Sequence, residues 1–222
     1  MKKLLILALL VVGCDNSTEP QDTAIAFPTE FPLVHNTGWV YELSEYSNAN
    51  DFLLGNNATI TYDTLVAIKT TQDYYIYSSI SQINESNSAY TLYKNYDNKF
   101  VALGDLSITT SENITLYEKP YIMADYSLNF DADSIDTNIY TNYIIGRTTE
   151  VDTLFDNLYN TYVFEMSVIN PYREVSMKYH YNKEGLSLAT GYIIQAEDQH
   201  LDDSYSTMRL IEKLNNFETN IP

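Results

Sequence analysis

The residues able to do chemistry are few and scattered. Cys14 is the only cysteine among 222 residues, and it directly follows an apolar run and Gly13. A single thiol excludes a disulfide framework and a multi-thiolate metal centre. The three histidines, His35, His180 and His200, are too far apart for the paired spacing of a zinc-binding helix. His180 falls on the polar side of an alternating segment, so a solvated imidazole is expected. Two acidic groups offer the oxygen ligands that calcium prefers. These are Asp131, Asp133 and Asp136 in "NFDADSIDTN", and Glu197, Asp198, Asp202 and Asp203 in "QAEDQHLDDS". Neither has the sixth-position glycine and distant glutamate of an EF-hand, so solvated acidic loops are expected, with calcium as the alternative. The chain has no glycine-rich phosphate loop and no G-x-S-x-G elbow. No catalytic residue, resident metal or cofactor is assigned.

Lys2 and Lys3 give the chain a basic start, and Leu4 to Val12 is an unbroken apolar run. As a helix this run spans about 14 Å, well short of the ~20 residues that cross a bilayer core. A basic start, a short apolar stretch and a small residue describe a secretory signal peptide. The tetrapeptide Val11-Val12-Gly13-Cys14 resembles the lipobox of bacterial lipoproteins. The resemblance implies cleavage before Cys14, a diacylglycerol thioether on its sulfur and an acyl chain such as palmitate on the new N-terminus. Among side chains a thiol is the nucleophile suited to take a lipid, and the small Gly13 leaves room for a peptidase. One acyl chain binds a membrane only reversibly, whereas two or more anchor it stably. The expected partner is therefore a membrane, reached through the lipid on Cys14, in the cell envelope of a diderm bacterium. Asp15 resembles the inner-membrane retention signal of some enteric bacteria, and both inner and outer membrane stay open.

Removing residues 1–13 leaves 209 residues and moves the formal charge from −18 to −20. That length suffices for one domain with a substantial core. So acidic a chain is not built to bind nucleic acid or anionic lipid surfaces, because phosphate contacts need basic residues. Its charge suits a solvated exterior kept soluble by repulsion. Tyrosine is abundant, with 21 residues set among Thr, Ser, Ile and Val, a mixture that fits pleated, half-buried surfaces. Packing of these rings is expected, and a tyrosine-lined glycan or lipid groove is the alternative.

The elements that would position these residues read as strands. Asp15 to about Thr29 is polar and proline-bearing, which suits a flexible tether. Trp39, Tyr41 and Leu43 then alternate with Val40 and Glu42 in strand period. Further strand-like runs follow at 58–70, 74–83, 89–96, 99–110 and 114–123, with Asp97-Asn98 as a turn and Pro120 marking a sheet edge or bulge. Residues 131–138 read as a loop. A late hairpin turns at Asn170-Pro171, with Phe164, Met166 and Val168 facing Val175, Met177, Tyr179 and Tyr181, while Lys178 and His180 point the other way. The segments "GLSLATGYIIQ" and "YSTMRLIEKL" supply the last strands, and no amphipathic helix stands out. In "YYIYS" alternate tyrosines take opposite faces, so some must lie outside the main core or in a second one.

Two stretches resemble a broad group of uncharacterised bacterial lipoproteins. Their mature domains open on a pattern like FPL, a Gly-Asn pair, then W-x-Y, matched here by Phe31-Pro32-Leu33, Asn36, Gly38, Trp39 and Tyr41. Their closing phrase is similar to "DTLFDNLYNTYVF" at 152–164 with "YHYNKEGLSLATG" at 179–191, which contains Gly185. The resemblance implies an envelope-anchored, largely β domain and brings no catalytic residue. Trp39, the sole tryptophan, is expected to anchor one end of the core.

The expected organisation is a lipoprotein signal peptide at 1–13, an acylated N-terminus and flexible tether at 14–29, and an all-β domain at 30–222. The fold expected is a single antiparallel meander forming a strongly curved sheet, either an open barrel or a sandwich. The expected function is a membrane-anchored, non-enzymatic binding or structural module. The alternative is a carrier of lipid or another hydrophobic ligand, with an apolar cavity on the concave face of the sheet. A hydrolase using paired carboxylates is a third class, supported by no motif.

Overall fold

The chain was analysed as a computed structural model. It describes residues 23–83, 89–108, 112–127, 134–138, 141–170, 173–195 and 202–217. The first half runs β1 (Thr37–Tyr46), α1 (Ala49–Leu54), β2 (Thr59–Lys69), β3 (Tyr75–Ser79), α2 (Ile80–Ile83), β4 (Ala89–Tyr96), β5 (Lys99–Ile108) and β6 (Glu112–Asp125). The second runs β7 (Ser134–Asn138), β8 (Thr141–Leu154), β9 (Asn157–Asn170), β10 (Arg173–Asn182), β11 (Gly185–Gln195) and β12 (Ser204–Leu214). All twelve strands belong to one sheet, ordered β6-β5-β4-β3-β2-β1-β12-β11-β10-β9-β8-β7, and every ladder between neighbouring strands is antiparallel. The fold is all-β, a curved meander. With every strand in one sheet, the sandwich alternative falls away.

The first and last strands pair, so the sheet's free edges are β6 and β7 in the middle of the chain. Among the described residues no ladder joins them, and the sheet stays open. Side chains span the gap instead. Arg147 on β8 donates from Nη1 to the carbonyl of Asp125, the last residue of β6, and to that of Ser127 just beyond it, at 2.8 Å each. Tyr126, between those two carbonyls, packs against Tyr162 on β9 and Tyr181 on β10.

Turn chemistry sets the hairpins. Asp97 and Asn98 both take positive φ, the backbone of the tight two-residue turns that match strand twist. Phe155 and Asp156 do the same between β8 and β9. Pro120 lies on the edge strand β6, where its missing N–H costs no ladder bond. Beside it the β5 register jumps from Ala102 opposite Tyr121 to Gly104 opposite Leu116.

Two packing layers follow from strand alternation. The concave face holds an aromatic core of Phe31, Trp39, Tyr41, Phe100, Tyr126, Tyr162, Phe164 and Tyr181, with Tyr75, Tyr77 and Tyr93 packed against it. The opposite face of β2–β5 carries a smaller core of Val66, Ile68, Ile76, Ile83, Tyr90, Leu92 and Leu106, with Tyr74 and Phe217 against it. Tyr74 and Tyr75 thus serve different cores, the division that "YYIYS" required.

Three segments differ from the sequence reading. Residues 134–138 form strand β7, not part of a loop, with Ser134 opposite Ile144. An edge strand needs only one backbone ladder, so it forms without the apolar alternation that marks a central strand. Residues 80–83 leave the extended conformation as α2, which folds Ile83 into the second core, while Ser79 Oγ accepts from the Ser81 N–H at its start. Part of the expected tether is docked. Ile25 pairs with Tyr159 in a short parallel bridge, and Phe27 stacks on Tyr162 with ring centroids 4.7 Å apart. Residues 1–22, on which the expected signal peptide and Cys14 fall, lie outside the described residues.

Candidate functional site

Of the residues singled out from sequence, most are not brought together. Asp131, Asp133, Glu197, Asp198 and His200 lie outside the described residues. Asp136 sits on edge strand β7 opposite Asn142. Asp202 and Asp203 are exposed, and Asp203 accepts hydrogen bonds from the Gln195 N–H and the Tyr205 hydroxyl. His35 is exposed, with Nδ1 accepting from the Lys69 N–H at 3.1 Å.

His180 departs from the solvated imidazole expected. Its side chain is 10% exposed, and Nδ1 lies 3.2 Å from Oδ2 of Asp152 on β8. Alternation explains the direction of the ring: Tyr179 and Tyr181 enter the aromatic core, so His180 turns to the outer face. It does not reveal what covers that face. Between β8 and β10 runs β9, whose outward residues Thr161 and Val163 are short and fully buried. In register His180 stands opposite Val163 and Asp152 opposite Tyr159, with Thr161, opposite Glu150, between those two β9 positions. Glu150 joins the pair, and one ligand atom from each of the three residues lies within 4.8 Å of the others. Glu150 and Asp152 had not been picked out from sequence. The only signal was their spacing of two on one strand, and the strand order that sets them against His180 is not local information.

Beside Asp152 lies a groove of about 330 Å³ lined also by Thr153, Leu154, Ser187, Leu188, Thr207 and Arg209. A serine, a histidine and an aspartate are therefore close, but not as a nucleophile and its base. The Ser187 hydroxyl donates to the backbone carbonyl of His180 at 3.1 Å, whereas an activated serine would face the ring.

The concave face is where the alternative reading, a carrier, would need its ligand cavity. It is occupied by the protein's own rings. Phe31 stacks on Phe100 with centroids 4.2 Å apart and touches Trp39, Tyr77 and Tyr181. Asn95 holds the Phe31 backbone from both sides, accepting from its N–H and donating to its carbonyl. The Tyr41 hydroxyl donates to the Leu186 carbonyl and shares a hydrogen bond with Tyr77. Burial raises the pKa values of Tyr41, Tyr77, Tyr126 and Tyr181 above the ordinary phenol value. These phenols are neutral packing elements, not acid–base groups at neutral pH.

Among the described residues no helix is long and apolar enough to cross a membrane. Compared with known proteins, the chain matches no family model, no curated protein and no solved structure.

Proposed function

We propose that this chain is a lipid-anchored protein of a bacterial cell envelope, held by acyl groups on Cys14 to the inner or outer membrane, whose β domain is a non-enzymatic binding or structural module. The observation that carries the module reading is the filled concave face: Phe31, Trp39, Tyr41 and Phe100 occupy the space a carried lipid would need, each at 2% exposure or less. The anchor rests on "LLILALLVVGC". Membership of the lipoprotein group with an FPL-type opening belongs to the same proposal. Its support is spatial, because Phe31, Trp39 and Gly185, which come from the opening and closing phrases, meet in one contact.

Mass spectrometry of the protein purified from membranes, made with its own leader, tests the anchor. A diacylglyceryl and acyl mass on an N-terminal Cys14 is expected, and Cys14→Ser should move the protein to the soluble fraction. An unmodified thiol would overturn the anchor. Organic extraction of the same preparation is expected to yield no non-covalent lipid at one per chain. Finding such a lipid would replace the module with a carrier.

A further inference from the structure

Among the described residues, Glu150, Asp152 and His180 on the outer face are the one group of three His, Asp or Glu side chains close enough together to hold a metal ion. A histidine–aspartate hydrogen bond by itself provides a partner for the ring nitrogen that faces Asp152. It does not account for Glu150, a second carboxylate placed two residues along the same strand. With a neutral imidazole the three groups carry two negative charges. Lys178, two residues from His180 on β10, is already ion-paired with Glu165. Among the described residues the His180 ring has no hydrogen-bond partner besides Asp152.

We propose that Glu150, Asp152 and His180 bind one first-row divalent transition ion, of the zinc or manganese class. An imidazole nitrogen with two carboxylate oxygens suits these ions, whereas calcium takes six to eight oxygens. Metal–ligand bonds of about 2.0–2.2 Å place neighbouring ligand atoms ~3–3.5 Å apart in tetrahedral or octahedral geometry. His180 Nδ1 and Asp152 Oδ2 are already 3.2 Å apart. Glu150 is exposed, so its carboxylate is free to swing inward and close the set within its present 4.8 Å reach. The imidazole is nine-tenths buried and fixed on a central strand, so the nitrogen ligand is placed before the ion arrives. Three protein ligands leave at least one position open. Asp152 also lines the groove described above, so water or a small ligand would complete the shell from that side. The proposal is independent of the lipid anchor and of how the aromatic core is filled.

The test is calorimetric titration of the full chain, purified in detergent and stripped with a chelator, with zinc chloride and with manganese chloride. The expected result is saturable binding of one ion per chain and a rise in melting temperature. Glu150→Gln, at an exposed position, should weaken binding by about 10-fold or more, since the loss of even an outer-shell partner of a metal ligand costs about 10–100-fold. Asp152→Asn should abolish it, with unchanged circular dichroism showing that the sheet survives. The Asp202→Asn, Asp203→Asn double variant should bind as the parent does. Absence of saturable binding for both metals overturns the proposal. So does zinc affinity unchanged in both Glu150→Gln and Asp152→Asn, which would place the ion elsewhere.

Discussion

The indole of Trp39 donates from Nε1 to the backbone carbonyl of Glu184 at 2.7 Å, tying β1 to the β10–β11 turn across 145 residues of chain. The same turn is held from several directions. The Glu184 N–H donates to Oδ1 of Asn182, and its carboxylate takes an ion pair from Lys213 and a hydrogen bond from Tyr159. Trp39 is fully buried, so losing the indole removes both packing and the partner of a carbonyl. Trp39→Phe is expected to cost about 2 kcal/mol, read from the urea midpoint by circular dichroism. A cost near zero would mean that the turn holds without it.

Gly185 completes that turn at φ 113°, a backbone region open to glycine and strained for other residues. A Cβ added there would lie 3.2 Å from the Trp39 indole nitrogen and 3.4 Å from the Phe31 ring. Strain and crowding act together, so Gly185→Ala should cost about 1–3 kcal/mol. Gly55, also at positive φ but with open space around its Cβ position, is the control and should lose less on mutation to alanine. Equal losses at the two positions would assign the effect to backbone strain alone.

Phe155 occupies the first place of the β8–β9 turn at φ 51°, although a bulky side chain disfavours that conformation and the residue is 38% exposed. Asparagine tolerates positive φ and is favoured in turns of this kind. Phe155→Asn is therefore expected to stabilise the protein by about 0.5–1 kcal/mol, seen as a higher urea midpoint with an unchanged slope. A lower midpoint would show that the ring contributes more by packing than it loses by strain.

High pH should unfold the protein through its buried phenols. Burial raises the values of Tyr41, Tyr77, Tyr126 and Tyr181, so in the folded chain they keep their protons above the ordinary value of about 10. The unfolded chain loses those protons from about pH 10 upward and binds fewer than the folded one. Stability contributed by these groups is thus full below about pH 10 and falls as pH rises toward their folded values. Ultraviolet absorbance should show exposed tyrosines titrating reversibly, then a second step coincident with loss of near-ultraviolet dichroism. Titration of all 21 tyrosines in one step with the fold intact would contradict the packing described.

Local pattern was enough to place many strands but not to arrange them. "AYTLYKNY" and "GLSLATGYIIQ" fill β4 and β11 because each combines alternation with a clear turn at one end. Strand β7 was missed because "SIDTN" has no apolar alternation, and α2 because four residues are too few to show a helical period. The pairing of β1 with β12 depends on contacts between the two ends of the domain, which no window of sequence contains. The candidate site was hidden for the same reason. His180 was visible, and its face was read correctly, but Glu150 and Asp152 reach it only through a register spanning three strands. The docking of Ile25 and Phe27 was masked by polar and proline neighbours that read as a tether.

The seam between the sheet's ends gives the last prediction. Arg147 donates to two backbone carbonyls at the end of β6 and lies over the Tyr162 ring, with its guanidinium carbon 4.5 Å from the centroid. No backbone ladder supports this junction among the described residues, so the guanidinium acts as a clasp between edge segments. Arg147→Met keeps much of the apolar stem over the ring and removes both hydrogen bonds, at an expected cost of about 2 kcal/mol. Lysine should recover only part, because an ammonium lacks the planar fork that stacks on the ring while reaching two carbonyls. The loss should be local before it is global. Hydrogen exchange should quicken first in β6 and in residues 125–127, while the central pair of β1 and β12 keeps its protection. If β1 and β12 lose protection together with β6, the gap at the edges is not a separately opening seam, and the sheet unfolds as one cooperative unit.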